Sequence, residues 1–511
     1  MNYSIPDGKK GHEIEKLLAK RFGVTGGTSE PTPFKYYDTF DWRFHKRGLH
    51  LLHKSGRFSL LDFLVSPEIE EAGLKIQYKG GFSWDYPPSG FRDALAEIMD
   101  PRALRPVVQG SSRITTLNLL NKDQKTVVRI TIEEAEVEKG KDKLQLTRRL
   151  TLRPVRGYDK ELSLAQKILE GKGMRPGGDS FFEEATALLD VHPGDYSGKV
   201  SFKIPPGQCS RQVAKGMVAS LLQVARQNEA GILSDHDSEY LHDFRVSIRK
   251  VRSILSLVKE VFPEDLTQQL KNDFRGIGTA TGPVRDLDVY LLSRDDYIDM
   301  VPEAQKQGIR LLFKDLEKRR KRECAKLNHY LESKAYRGLM EEKLQLFRSK
   351  GDHLPKSKNS GKPIAKLAEK TLQKRYAKII GMGNLVTMET PDEDVHELRI
   401  ECKKLRYLLE FFQSLLNKKA VSNFVKQLKL LQDNLGRFND LCVQQEYMNK
   451  YLSSISPRRK DAPVIIPAVG TLIGVLYKEQ TEEKAKVETN VLAFISHSNQ
   501  ELFSTIFKAK A

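Results

Sequence analysis

The chain has 511 residues, 39% of them hydrophobic and 30% charged, with a formal net charge of +18. These proportions exclude a disordered chain and a fibrous repeat, and the length leaves room for more than one folded domain, of which two are expected. Most of the positive excess lies in residues 201–511, where 53 Lys/Arg face 39 Asp/Glu, against 32 and 28 in residues 1–200; a field of that sign attracts phosphate polymers, nucleic acid or anionic lipid without choosing among them.

In chain order, a helix is predicted over Gly11–Phe22 and another over Gly90–Met99, among short β-like runs at Phe34–Tyr37, Phe58–Leu64, Leu74–Tyr78, Ile114–Leu120, Thr126–Ile132 and Leu144–Leu152. Strands without regular βαβ alternation predict an antiparallel, barrel-like α+β domain. A Gly/Pro/Asp-rich stretch, with Gly177-Gly178-Asp179, His192-Pro193-Gly194 and Ile204-Pro205-Pro206-Gly207, then separates it from a half with helical periodicity. Loops are predicted at Lys350–Pro363 and Ser456–Pro463. The expected domains are 1–185 and 205–511, with a linker at 186–204 and helical halves at about 205–350 and 362–511.

Those halves repeat. His242-Asp-Phe-Arg245-Val-Ser-Ile-Arg249-Lys250-Val-Arg252 matches His396-Glu-Leu-Arg399-Ile-Glu-Cys-Lys403-Lys404-Leu-Arg406 at an offset of 154, and Gly282-Pro-Val-Arg285-Asp286-Leu matches Gly436-Arg-Phe-Asn439-Asp440-Leu at the same offset. The repeat predicts two similar bundles related by a pseudo-two-fold axis. On a helix, His242, Arg245, Arg249 and Arg252 fall within an arc of about 80°, and His396, Arg399, Lys403 and Arg406 do the same. Like charges so placed repel, so a ridge of this kind calls for an anion. Arg offers a planar fork of donors to phosphate oxygens, Lys a point charge and His a titratable donor.

The competing structural reading pairs these bases with Asp286, Asp288 or Asp440 and treats the histidines as core. Arg285-Asp286-Leu-Asp288 is expected at a helix start after Gly282-Pro283, its acids serving the helix terminus and Arg285 reaching the ridge. Arg211 and Lys215, and Lys374 with Arg375, on helices preceding each histidine, are second-rank candidates, while Lys314–Lys326 is expected to be a solvated helix face.

Cys209, Cys324, Cys402 and Cys442 have no CxxC spacing, so no zinc site or disulfide framework is expected, and the thiols suit a cytosol. The opening MNYSIPDGKKGHE lacks the apolar core of a signal peptide, and the longest apolar run, Val464–Tyr477, contains Pro467 and falls short of the ~20 residues of a spanning helix. No membrane partner is expected. No P-loop, HExxH, GxSxG or EF-hand pattern is present.

HDFRVSIRKVRS, GPVRDLDV, HELRIECKKLRY and LGRFNDL resemble the paired signatures of the CHAD domain, the conserved histidine α-helical domain, over roughly residues 200–511. That resemblance implies a pseudo-symmetric pair of four-helix bundles whose basic helices line a groove for inorganic polyphosphate. It assigns binding to His242, Arg245, Arg249, Lys250 and Arg252 and to His396, Arg399, Lys403, Lys404 and Arg406. Tyr36-Tyr37-Asp38-Thr39 through Gly48-Leu49, with Leu104-Arg105-Pro106 and Arg113, resembles the CYTH family, the triphosphate tunnel fold, over about residues 1–180. The chain departs from that family's ExExK opening, having Met-Asn-Tyr-Ser-Ile-Pro. Bases stand at Lys54, Arg149 and Arg153, so of the metal-holding carboxylates only Glu133, Glu134 and Glu136 remain.

The expected protein is therefore an antiparallel β tunnel-like domain without catalytic residues, metal or cofactor, followed by an all-α domain that binds polyphosphate, in the cytoplasm and at polyphosphate granules. A metal-dependent triphosphatase in the tunnel and a nucleic-acid-binding protein are the alternatives. The ridge lacks interleaved aromatics for base stacking.

Overall fold

A computed structural model describes residues 1–6, 11–62, 70–72, 81–177, 180–205, 207–349 and 354–508. The strand expected at Leu74–Tyr78, the end of that expected at Phe58–Leu64, and parts of the loops expected at 177–179, 204–207 and 350–363 lie outside the described residues. The chain divides into two compact units, Met1–Ser197 and Gly198–Ala511.

The first unit contains β1 (Asn2–Ser4), α1 (Gly11–Leu18), β2 (Gly23–Thr28), β3 (Thr32–Asp38), β4 (Leu49–Lys54), β5 (Arg57–Asp62), β6 (Glu70–Ala72), α2 (Gly90–Met99), β7 (Arg105–Leu120), β8 (Thr126–Lys139), β9 (Asp142–Gln145), β10 (Arg149–Pro154), α3 (Asp159–Glu170), β11 (Arg175–Pro176) and α4 (Phe181–Leu188). Among the described residues every strand pairing is antiparallel, in the order β11-β1-β10-β8-β7-β3-β4-β5-β6, with β2 also on β7 and β9 on β8. The run expected as one strand at Leu144–Leu152 is two, interrupted where Leu146 turns inward to bond Ala135 O.

Alternation along the strands sorts the faces. Val128, Ile130 and Ile132 of β8 and Leu150 and Leu152 of β10 pack under Ile14 and Leu18 of α1 and Ala165 and Leu169 of α3. The other face curls. Lys54 Nζ of β4 meets Glu133 Oε1 of β8 at 2.5 Å although β3 and β7 lie between them, and strands ~4.8 Å apart bring such side chains together only in a strongly bent sheet. The sheet remains open at its edges, so the tunnel-like expectation takes the form of a curled, unclosed sheet. Phe182 of α4 packs inside the curl against Tyr36 and His50.

The second unit contains α5 (Ser210–Leu233), α6 (Ser238–Leu257), α7 (Glu264–Leu292), α8 (Arg294–Asp299), α9 (Glu303–Glu332), α10 (Lys334–Arg348), α11 (Ile364–Gly383), α12 (Asp392–Phe412), α13 (Lys418–Ser454), α14 (Ala462–Ala485), α15 (Val487–Phe494) and α16 (His497–Thr505). Three helices of each half start 154 residues apart, at Ser210 and Ile364, Ser238 and Asp392, and Glu264 and Lys418. The local signals differ between copies: the Asp237 carboxylate caps α6 by accepting from Glu239 N at 2.9 Å and Tyr240 N at 3.2 Å, whereas Pro391 precedes α12. Each half packs its second helix between its first and third, and the halves meet through α6 with α12 and α9 with α14.

Gly308 lets α9 and α14 cross closely, since a Cβ there would lie 2.4 Å from Val464 O and from the Ala468 Cβ. Ala462–Phe494, covering α14 and α15, is the one stretch among the described residues long and apolar enough to cross a membrane by length and composition. Here Ile465, Ala468, Val469, Leu472 and Leu476 are buried in a core shared with α7, α8, α9 and α13, and 33% of the most apolar window is buried.

The helix start expected after Gly282-Pro283 is not there. α7 runs through Pro283, leaving Asp286 and Asp288 inside the helix. Val284, Leu287 and Tyr290 are buried on that stretch, and such packing outweighs the ~3 kcal/mol that proline costs a helix interior. Asp288 is buried and accepts from Arg320 Nε at 2.5 Å, so it is structural.

Candidate anion-binding site

α6 and α12 bury Phe244, Ile248, Val251, Ile254 and Leu255, and Leu398, Leu405, Leu408 and Leu409, which fixes the rotation of each helix. The basic arcs are thereby turned to the same side of the unit. Arg249 of the first half lies close enough to lower the proton affinity of both Arg399 and Lys403 of the second. The two ridges therefore form one surface rather than two.

Its residues fall into two groups. Arg245 is mostly buried and donates from Nη1 to Gly278 O and Thr281 Oγ1, both at 2.8 Å, beside Asp286; Arg399 reaches Asp440 at 3.3 Å. Lys250 and Arg406 share Glu410, at 3.1 and 3.0 Å, and Arg406 Nη1 also donates to Gln432. Each of these four is engaged within the protein, Arg399 by Asp440 as the structural reading expected, and Lys250 and Arg406 by Glu410 instead. Arg249, Arg252 and Lys403 make no ion pair or side-chain hydrogen bond among the described residues. Burial, with Arg399, Arg249 and Arg406 nearby and Asp440 only partly compensating, pushes Lys403 down to about 8. Burial and Arg275 likewise lower Arg252. These cations stand without an ion pair among the described residues, although Asp286 and Asp440 border the same surface.

The histidines differ. His242 is lowered, mainly by burial and then by the positive charges of Arg285 and Arg249, with Glu239 and Asp243 opposing. His396 is exposed, its Nδ1 against Asn439 Oδ1. Arg285 and Asn439 occupy equivalent positions, so each half sets the same α7 or α13 position beside its histidine, once with a cation and once with an amide. Arg285 also reaches Glu239 at 3.5 Å.

A cavity of about 490 Å³ lies between α6, α7 and α13, lined by the bases His242, Arg245, Arg249 and Arg285, by Asp286 and Asp440, and by Val289, Val443 and Tyr447. Val289 and Val443 are repeat mates, 45% and 52% exposed. Beside it, a notch of about 280 Å³ is walled by Arg245, Arg249, Arg252 and Arg275 over Gly278 and Thr279. Pro283 has no N–H, so the Thr279 carbonyl has no donor four residues on. Arg275 was not among the residues singled out from the sequence. The signal was available, because the repeat register places Lys429 at the equivalent position, and Gly278 and Gly282 fall within about 60° of Arg275 on α7.

The second-rank candidates separate from the surface. Arg211 is 1% exposed and donates to Leu354 O and Pro355 O, both at 2.7 Å, and to Val261 O at 3.3 Å; Lys215 Nζ bonds Ser349 O and Oγ at 3.1 Å. Both assignments are corrected, because these cations close a loop of the interior instead of facing a ligand. Arg375 pairs with buried Glu401 of α12, and Lys404 and Lys378 reach the same carboxylate at 2.9 and 3.3 Å. Lys404, one residue and about 100° from Lys403, thus belongs to the α11 contact, as does Arg375. Lys374 is exposed on α11 without an ion pair among the described residues. Arg211→Ala is expected to destabilise the unit by about 2–4 kcal/mol in denaturant titration, by stranding buried carbonyls, while leaving polyanion affinity within twofold of the parent once the protein is folded; a selective affinity loss would return Arg211 to the site.

Residues 216–449 match the model of the CHAD domain. Among solved structures, the chain is similar to the CHAD domain from the plant Ricinus communis, at 23% identity and a TM-score of 0.47, over 58% of this chain and 96% of that one. It is also similar to PptA from Streptomyces chartreusis, at 15% identity and a TM-score of 0.40, over 58% of this chain and all of that one. No curated protein matches the chain.

Proposed function

We propose that this chain, which carries a CHAD domain in its helical unit, binds inorganic polyphosphate along the surface shared by α6 and α12. The observation that carries this reading is that Arg249 stands close enough to perturb Lys403 and walls one notch with Arg252, all three without ion-pair partners among the described residues. Holding like charges together is unfavourable, and a linear phosphate chain removes that cost at successive oxygens. The ridge offers charge and hydrogen-bond donors along a line, with no row of exposed rings for bases.

For the first unit, the same reading is a curled triphosphate-tunnel relative that does not hydrolyse its ligand. Its remaining glutamates are engaged: Glu133 by Lys54 at 2.5 Å, Glu134 by Arg148 at 2.7 Å and Glu136 by Lys143. Arg149, which would otherwise offer the curl a free cation, is held by Glu184 of α4 at 2.9 Å. This donor set does not fit a divalent ion, which needs carboxylates free to coordinate it.

The test is competition at near-physiological salt. Long-chain polyphosphate is expected to bind the intact protein and to resist displacement by duplex DNA or RNA of equal charge. Nucleic acid displacing it at equal charge would reassign the surface to a phosphodiester backbone.

A further inference from the structure

On this reading of the ridge, we infer a second phosphate-polymer subsite on α9, reached from the first past Tyr447. Exposed charge on Lys314–Lys326 would by itself be a solvated helix face. The tertiary structure adds a wall: α9, the end of α13 and Arg459 border an open hollow of about 480 Å³, lined by Lys318, Arg319, Arg322 and Tyr451.

The acids in this wall are already engaged. Asp315 accepts from Tyr451 Oη at 2.8 Å and from Arg459, and Glu323 is paired with Lys326 at 2.9 Å. Arg459 is in turn shared with Asp461. Lys318, Arg319 and Arg322 make no ion pair among the described residues and are exposed on one side of α9, where positions three and four apart stand about 6 Å from each other. They present donors without ion-pair partners among the described residues to a concave space, with Asp461, held down mainly by its bond to Arg459, near enough to Lys318 to be held down by its charge as well.

Tyr447 connects the two places. Its ring stacks on Tyr290 at 4.5 Å and lines the first cavity. The Arg319 guanidinium, which lines the second, lies 5.7 Å from the same ring and its Nη1 is 3.4 Å from the hydroxyl. A flexible chain of phosphates leaving the Arg249 side at Tyr447 meets Arg319 next, then Lys318 and Arg322. Short chains would occupy the ridge alone, and long chains both places, so the second contact acts at high effective concentration.

The experiment compares tripolyphosphate and long-chain polyphosphate on the full chain, on Lys318→Gln/Arg322→Gln and on Arg249→Ala/Lys403→Ala. The α9 variant is expected to bind tripolyphosphate as the parent does, which also shows that it is folded, and to lose on the order of 10-fold or more of the affinity gained with chain length. An unchanged gain overturns the subsite while leaving the ridge intact. Equal losses for both ligands overturn it too, by showing that these residues act on the ridge or the fold. If the ridge variant keeps its tripolyphosphate affinity, the function proposed for α6 and α12 fails instead. Duplex DNA of equal charge losing as much as polyphosphate in the α9 variant would overturn the assignment to polyphosphate and leave a general phosphate-backbone surface.

Discussion

Replacing Arg249 and Lys403 together by alanine lowers the affinity for long-chain polyphosphate by about 100-fold or more, at ~1.5–3 kcal/mol for each charge-assisted hydrogen bond removed. It makes the dependence of log K on log salt shallower by about 2, one for each phosphate no longer neutralised. The thermal midpoint is expected to hold or rise. Neither side chain has an ion-pair partner among the described residues, and each stands in the field of other cations, so truncation relieves repulsion without stranding an acid. Lys404→Ala should behave oppositely: it uncovers the buried Glu401 contact and changes affinity little. Titration calorimetry with scanning calorimetry on the same samples checks both; an affinity change under threefold for Arg249→Ala/Lys403→Ala would remove the ridge from the binding surface.

Polyphosphate affinity should also fall as pH rises through about 8, while the stability of the free protein rises. Lys403 has a folded value of about 8 against 10.5 for the ordinary side chain. Between those limits the unfolded chain binds more protons than the folded one, so unfolding becomes less favourable with increasing pH. Below about 8 Lys403 is charged in both states, and that stabilising contribution is absent. The anion needs the charged form, and its own charge raises the lysine's proton affinity, so binding near pH 8 takes up a fraction of a proton and weakens by up to about 10-fold per pH unit above it. Lys403→Arg should flatten both slopes. Proton uptake is read from binding enthalpies in buffers of different ionisation enthalpy; equal uptake by parent and Lys403→Arg would assign the pH dependence elsewhere.

Much of the helical unit is legible in the sequence because its signals are periodic and duplicated. The 154-residue offset reappears in the starts of three helix pairs, and the arcs carrying His242 and His396 take the same orientation because the apolar residues between them can face only the core. Pro283 misleads for a local reason: the rule for proline describes an isolated helix, whereas Leu287 and Tyr290 are anchored by a core drawn from both halves. In the first unit, β2 was missed because Gly23–Thr28 is mostly exposed and carries no alternation to read. β4 was missed because Leu49-His-Leu-Leu-His-Lys mixes apolar and basic residues without a clean period of two.

The sequence by itself determined which residues are basic, where they recur, and that two helices present them on one arc, since periodicity and repetition are properties of the chain alone. Which cations stay available was decided by the tertiary structure. Arg211, Lys215 and Arg375 look no different in sequence from Arg249 and Lys403, but these three meet carbonyls or a carboxylate contributed from distant positions, at Leu354, Ser349 and Glu401, and Lys404 joins Arg375 on Glu401 from one turn away. Arg249 and Lys403 meet one another's fields instead. A charge is neutralised by what lies within a few ångströms of it in space, and that neighbourhood exists only once the helices have packed.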